Sequence, residues 1–218
     1  MPGQLALPFG SRPALGREHF IVAPCNEQAL RFIERWPDWP TRAAAIWGPH
    51  DSGKTHLARI FADLSGARLV SASGLSGVDP DSESTIVVEL DDAPADIDRD
   101  RALFALFERP SGTLFFTGRT PPSEWPVLLG DLKSRFDALL AFEVWAPDDH
   151  LLSALIRKQF ADRQLDVTDA IVRRLLTHVE RTPQAIAAFI SRIDEKALAE
   201  KRAVSERLVM ELIDSEMR

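Results

Sequence analysis

Beyond residue 17, short apolar runs alternate with stretches whose apolar residues return every three or four positions. Ala43–Trp47 is an apolar run that ends in a glycine loop. Leu57, Ile60, Phe61 and Leu64 follow at helical spacing. Residues 68–71, 85–90, 113–117 and 139–144 are further strand-type runs. Residues 98–108 are helical, with Leu103, Leu106 and Phe107 on one face. Strands alternating with helices predict an α/β fold with a parallel five-stranded sheet sandwiched by helices. Near residue 147 the strand signals stop. Leu151, Leu152, Leu155, Ile156 and Phe160 mark one amphipathic helix, and Ile171, Leu175 and Leu176 a second. Thr182 and Pro183 open a third, as N-cap and first helical residue. Leu208 to Ile213 suggests a fourth. The expected organisation is an arm at 1–17, an α/β unit at 18–146 and a small all-helical unit at 147–218.

Composition narrows the class. With 218 residues, 45 % hydrophobic and 27 % charged, the chain can bury a real core. The net charge of −7 argues against broad electrostatic binding to nucleic acid, although a local patch around Arg157, Lys158, Arg173 and Arg174 stays compatible with it. A single cysteine, Cys25, permits no intrachain disulfide and fits a reducing compartment. No apolar run approaches the roughly 20 residues of a membrane span. The arm holds Pro2, Gly3, Pro8, Gly10, Pro13 and Gly16, a density of breakers that predicts extended chain. Within it QLALPF is too short for a secretory h-region and has no basic segment before it.

The strongest chemical signal is Gly48-Pro49-His50-Asp51-Ser52-Gly53-Lys54-Thr55, which fits G-x-x-x-x-G-K-[ST] between a strand and a helix. In such a loop backbone N–H groups converge on phosphate oxygens. Lys54 adds positive charge at the β- and γ-phosphates, and the Thr55 hydroxyl suits Mg²⁺. The following helix turns its positive end to the same place. His56 follows directly, on a helix surface or lining the phosphate site. An apolar strand running into Asp91 and Asp92 supplies the acidic half. Asp91 is placed to hold Mg²⁺ through water and Asp92 to orient an attacking water. Glu89 puts a charge inside that strand, where burial is costly. No His/Cys grouping suggests zinc.

Together these features resemble an AAA+ ATPase. Asp131-Leu-Lys-Ser-Arg135-Phe136 is similar to the arginine-finger segment of the DnaA branch, and Thr117-Gly-Arg119-Thr-Pro-Pro122 to its sensor 1 segment. His19-Phe20-Ile21-Val22 with Asn26 resembles its adenine-side entry segment. DnaA initiators continue into a helix-turn-helix unit that the 218 residues do not contain. QLALPF followed by one AAA+ module resembles the Hda family of DnaA-related regulators. That resemblance implies a negative regulator of replication initiation, cytoplasmic and bacterial, associated with the nucleoid through the replisome. It would bind the DNA polymerase sliding clamp through Gln4, Leu5, Leu7, Pro8 and Phe9. It would use Arg135 to stimulate hydrolysis of ATP held by DnaA. DNA would be met only through the clamp, and a homo-oligomer stays open. Taken alone, the arm is also compatible with a plain tail and Arg135 with a surface salt bridge.

Three departures from the family pattern bear on the chain's own chemistry. Arg119 replaces the sensor 1 acid. Gln184 stands where a sensor 2 arginine is expected, with Arg181 close by. Glu89 replaces an apolar residue. The expectation is a nucleotide-binding protein, with ADP or ATP and Mg²⁺, whose own ATPase is weak or absent. Two alternatives stand beside it. One is a DNA-loading ATPase of the DnaC or transposition-helper kind. The other is a non-catalytic adaptor that binds nucleotide.

Overall fold

The structure is a computed structural model that describes residues 15–79, 84–91 and 94–216. Five strands form one parallel sheet: β1 (Ala43–Trp47), β2 (Arg68–Ser71), β3 (Thr85–Glu89), β4 (Thr113–Gly118) and β5 (Leu140–Glu143). Their order across the sheet is β2-β3-β4-β1-β5. Each run lies within a residue or so of its sequence expectation. The central strands are apolar through their middles, with Thr or Glu only at their ends, because both faces are covered. In β1, Ala44 and Ile46 face α1 (Glu27–Glu34) and α2 (Lys54–Ser65), while Ala43 and Ala45 face α3 (Ile97–Glu108) and α4 (Gly130–Asp137). Phe115 and Phe116 of β4 split the same way. Trp39 stacks between Phe32 and Phe61, with ring centroids 4.3 and 4.7 Å away, and its indole N–H donates to the Phe32 carbonyl at 2.8 Å.

Residues 149–216 hold four helices, α5 (Asp149–Asp162), α6 (Asp169–His178), α7 (Pro183–Glu200) and α8 (Glu206–Glu216). They surround their own cluster, with Leu152, Ile156, Phe160, Phe189, Ile190 and Leu208 at its centre. The starts follow local rules: the side chains of Asp148, Thr168 and Thr182 each accept a first-turn amide N–H, and Pro183 occupies the first helical position. Cys25 and Ala23 pack on Leu151 of α5, and the Trp145 amide donates to the Cys25 carbonyl at 3.0 Å. No helix among the described residues is long and apolar enough to cross a membrane.

Candidate functional site

The parallel sheet gathers the chemistry at one edge. β1, β4 and β3 are neighbours, so the segments leaving their C-terminal ends lie side by side: the Gly48 loop, Arg119 and Asp91. This is where doubly wound sheets bind ligands. Backbone bonds fasten the three together, Gly48 N–H to Gly118 O at 3.1 Å and Leu90 N–H to Thr117 O at 3.0 Å.

The loop is tight. A Cβ on Gly48 would sit 2.0 Å from the Val144 carbonyl oxygen, so only glycine fits against the chain leaving β5. Gly53 has φ of 98°, the left-handed region, and turns the chain directly into α2. Lys54 is buried, and its ammonium donates to the Gly48 and Pro49 carbonyls at 2.8 Å each. Its Nζ also lies 3.9 Å from Asp91 Oδ2. Burial pulls the Lys54 pKa below the ordinary 10.5; Arg119 adds to that, and Asp91, Asp51 and Glu89 oppose it. Ser52 is buried, and its Oγ has no hydrogen-bond partner among the described residues. Asp51 takes a positive φ of 61°, and its carboxylate meets exposed His50 at 2.8 Å. Thr55 is exposed on the first turn of α2.

Glu89 corrects the sequence expectation. It is the last residue of β3 and only half-buried, opposite Ser71 and Thr117, so its carboxylate leaves the core at the site edge and acts electrostatically on Lys54. The desolvation foreseen for a mid-strand charge is therefore largely avoided. Arg119 Nε lies 3.7 Å from the same Asp91 oxygen that faces Lys54. Asp92 and the arm residues Gln4, Leu5, Leu7, Pro8 and Phe9 lie outside the described residues.

On the other flank, Phe20 packs against the helix side of the sheet, with its ring 3.9 Å from where a Gly53 Cβ would be. Ile21 joins Ala23, Cys25 and Leu151, and Val22 is exposed. His56 turns away from the phosphate loop: Nε2–H donates to the Gly16 carbonyl at 3.1 Å, and the ring meets Phe20 edge-on at 5.0 Å. Gly16 and Arg17 are thus fastened to the body, Arg17 also pairing with Glu34 at 2.5 Å. Arg181 pairs with Asp149 at the start of α5, and Gln184 is exposed on the first turn of α7.

Arg135 is not part of the Lys54–Asp91–Arg119 cluster. It sits on the last turn of α4, half-exposed, pairing with Glu108 and lying 5.7 Å over the Phe104 ring. A buried pair that sequence reasoning missed supports that helix. Asp100 on α3 is fully buried; one carboxylate oxygen takes Arg99, and the other takes the amides of Leu128 and Leu129, just before α4. No spacing rule signals an acceptor for amides 28 residues away.

Comparison of folds is decisive for the architecture. Domain III of DnaA from Thermotoga maritima superposes with a TM-score of 0.74 over 94 % of this chain and 97 % of its own, at 13 % identity. The fold is that of a DnaA-like AAA+ module. A replication initiator DnaA bound to AMPPCP and single-stranded DNA gives 0.70 over 87 % of this chain and 69 % of its own, at 17 % identity. A Thermotoga maritima RuvB variant gives 0.65 over 88 % and 68 %, at 15 % identity. No family model matches the sequence, and no curated protein does. Within this AAA+ fold, Lys54, Asp91 and Arg119 form one charged cluster beside the phosphate loop.

The oxygens of Thr55 and Asp91 are of the type Mg²⁺ prefers. Bound there, the ion would neutralise phosphate charge, with these two residues as its protein donors. Among the described residues no group of three His, Cys, Asp or Glu side chains could hold a metal by itself.

Proposed function

We propose that the module binds an adenine nucleotide on the Gly48–Thr55 loop and acts as an Hda-like negative regulator of replication initiation. Gln4, Leu5, Leu7, Pro8 and Phe9 would grip the sliding clamp, and Arg135 would be offered to ATP held by DnaA. The observation that carries this is the pairing of a DnaA-like AAA+ fold with an arginine held at the surface of α4, where it pairs with Glu108 and with no member of the Lys54–Asp91–Arg119 cluster among the described residues. In support, the DnaA in the comparison binds AMPPCP, the Lys54 ammonium lies within the loop on the Gly48 and Pro49 carbonyls, and the Ser52 Oγ, without a partner among the described residues, adds a hydroxyl there.

Each residue has a distinct task. Lys54 leaves the Gly48 and Pro49 carbonyls for phosphate oxygens. Phe20, Ile21 and Val22 offer an apolar wall to the base, and Arg181 and Gln184 stand on the helical side. Asp91, with Asp92 beside it, and Arg119 govern the terminal phosphate. A guanidinium at Arg119 repels no phosphate, yet it cannot take a proton from water as a carboxylate can. The chain's own hydrolysis is accordingly slow or absent, with ADP as the resident ligand. In a partner's site the Arg135 guanidinium would stabilise charge growing on the transferring phosphoryl group. Leu7 and Phe9 would fill apolar pockets on the clamp, and Pro8 would reduce the entropy lost on docking.

The DNA-loading alternative is weakened by ion pairing across its would-be basic patch. Arg157 meets Asp169 at 2.7 Å, Lys158 meets Asp162 at 2.7 Å, and Arg174 faces Glu206 at 3.6 Å. The test is a pull-down with purified clamp. Wild type is retained, and Leu7→Ala/Phe9→Ala is lost from the beads. Equal retention of the two proteins would overturn the clamp assignment.

A further inference from the structure

We propose that Arg119 stands in for a metal ion beside the phosphate loop, so that the site takes a nucleoside diphosphate without needing Mg²⁺. This rests on the nucleotide-binding function proposed above and names the form in which the ligand is held.

Two cations converge on one carboxylate oxygen. Asp91 Oδ2 has Lys54 Nζ at 3.9 Å and Arg119 Nε at 3.7 Å. Asp91 is the carboxylate a divalent ion would use. With an ammonium and a guanidinium already against it, an arriving dication meets like charge at short range and must displace Arg119 to gain the oxygen. A phosphate meets the opposite situation. It enters between two positive groups that share one carboxylate oxygen, Lys54 donating also to the Gly48 and Pro49 carbonyls, and the planar guanidinium fork matches two of its oxygens.

The backbone of Arg119 is fixed, while its head, paired with Asp91, stays largely exposed. It follows Gly118, where a Cβ would fall 2.5 Å from Trp125 Nε1, so the indole packs directly on the strand end. The same indole N–H donates to the Thr120 carbonyl at 2.8 Å and pins the turn from its other side. The Arg119 side chain is 58 % exposed. It borders an open cavity of about 210 Å³, shared with Leu90, Asp91 and Trp125, which leaves the guanidinium room to move off the carboxylate. Its strand, β4, lies between the strand of the phosphate loop and the strand of Asp91. A cation there stands with Lys54 on the same Asp91 oxygen, at the end of the sheet that carries the phosphate loop.

The test is calorimetric titration of ADP into the full chain, once with Mg²⁺ and once with excess EDTA. Wild type is expected to keep its Kd within about fivefold between the two buffers. Arg119→Ala should bind at least about fivefold more weakly than wild type in EDTA and regain affinity when Mg²⁺ is added, with Arg119→Lys weakened less because it keeps the charge. A wild-type Kd that moves further with EDTA, or an Arg119→Ala affinity in EDTA within fivefold of wild type, overturns the proposal. A Lys54→Ala control separates the two levels. If Lys54→Ala abolishes binding while Arg119→Ala leaves it intact, the nucleotide site stands and the role of Arg119 falls. If wild type takes up no ADP in either buffer, both fall.

Discussion

Replacing Asp100 by alanine should remove a large part of the fold's stability. The carboxylate is fully buried on α3. Oδ1 accepts from Arg99 Nε at 3.2 Å and Nη2 at 2.9 Å, and Oδ2 accepts from the amides of Leu128 at 2.5 Å and Leu129 at 3.1 Å. Truncation leaves a buried guanidinium with the Pro126 carbonyl, 2.5 Å from Nη2, as its remaining oxygen partner among the described residues, and strips two N–H groups of their acceptor. Losing one member of a buried ion pair costs about 3–5 kcal/mol, against a typical total stability of about 5–15 kcal/mol. Asp100→Asn keeps the shape and one acceptor oxygen, so its loss should be smaller, about 2 kcal/mol. Urea unfolding followed by far-UV circular dichroism measures both, by linear extrapolation. The same substitution frees the segment before α4, so the placement of Arg135 should loosen with it. A change below about 1 kcal/mol for Asp100→Ala would refute the reasoning, because it would mean that the orphaned groups find water or other partners at no cost.

Two further outcomes follow from titratable groups. Burial holds the His56 pKa below its ordinary 6.5 despite the hydrogen bond to Gly16, so the unfolded chain takes up the proton first and stability falls as pH drops through that value, while above it the contribution is complete. Urea midpoints measured between about pH 8 and about pH 5 should show a steeper acid-side decline for wild type than for His56→Gln, and identical slopes would contradict the assignment. Burial, with Asp148 beside it, pushes the Cys25 thiol above 9.0, so iodoacetamide at mildly alkaline pH should modify native protein far more slowly than urea-unfolded protein, equal rates being the contrary result.

The elements that were legible in the sequence are those whose signals are local. Ala43–Trp47 and residues 113–117 stand out because a parallel sheet covered on both faces puts apolar residues on both sides of a strand's middle. Thr182 and Pro183 announce α7 through capping that depends on adjacent residues alone. The Gly48–Thr55 loop is legible because its glycines answer to backbone geometry, as the Val144 carbonyl against Gly48 makes plain. What escaped is the partner of each charge. Glu108 lies 27 residues from Arg135, and Asp149 lies 32 from Arg181. Asp100 reads as one more polar residue on a helix until α3 is packed beside the segment at 126–129. Glu89 looked misplaced for the same reason: whether a strand residue lies inside the sheet or at its edge is decided by where pairing with β2 and β4 ends.

The central claim is that an arginine on this module acts on a triphosphate held by another protein. It is tested most directly by following hydrolysis of DnaA-bound ATP in the presence of clamp loaded on DNA, with wild type and with Arg135→Ala. Wild type should accelerate hydrolysis, and Arg135→Ala should lose that stimulation by a factor on the order of 10³ while still binding ADP. Stimulation by Arg135→Ala equal to that of wild type would contradict the account.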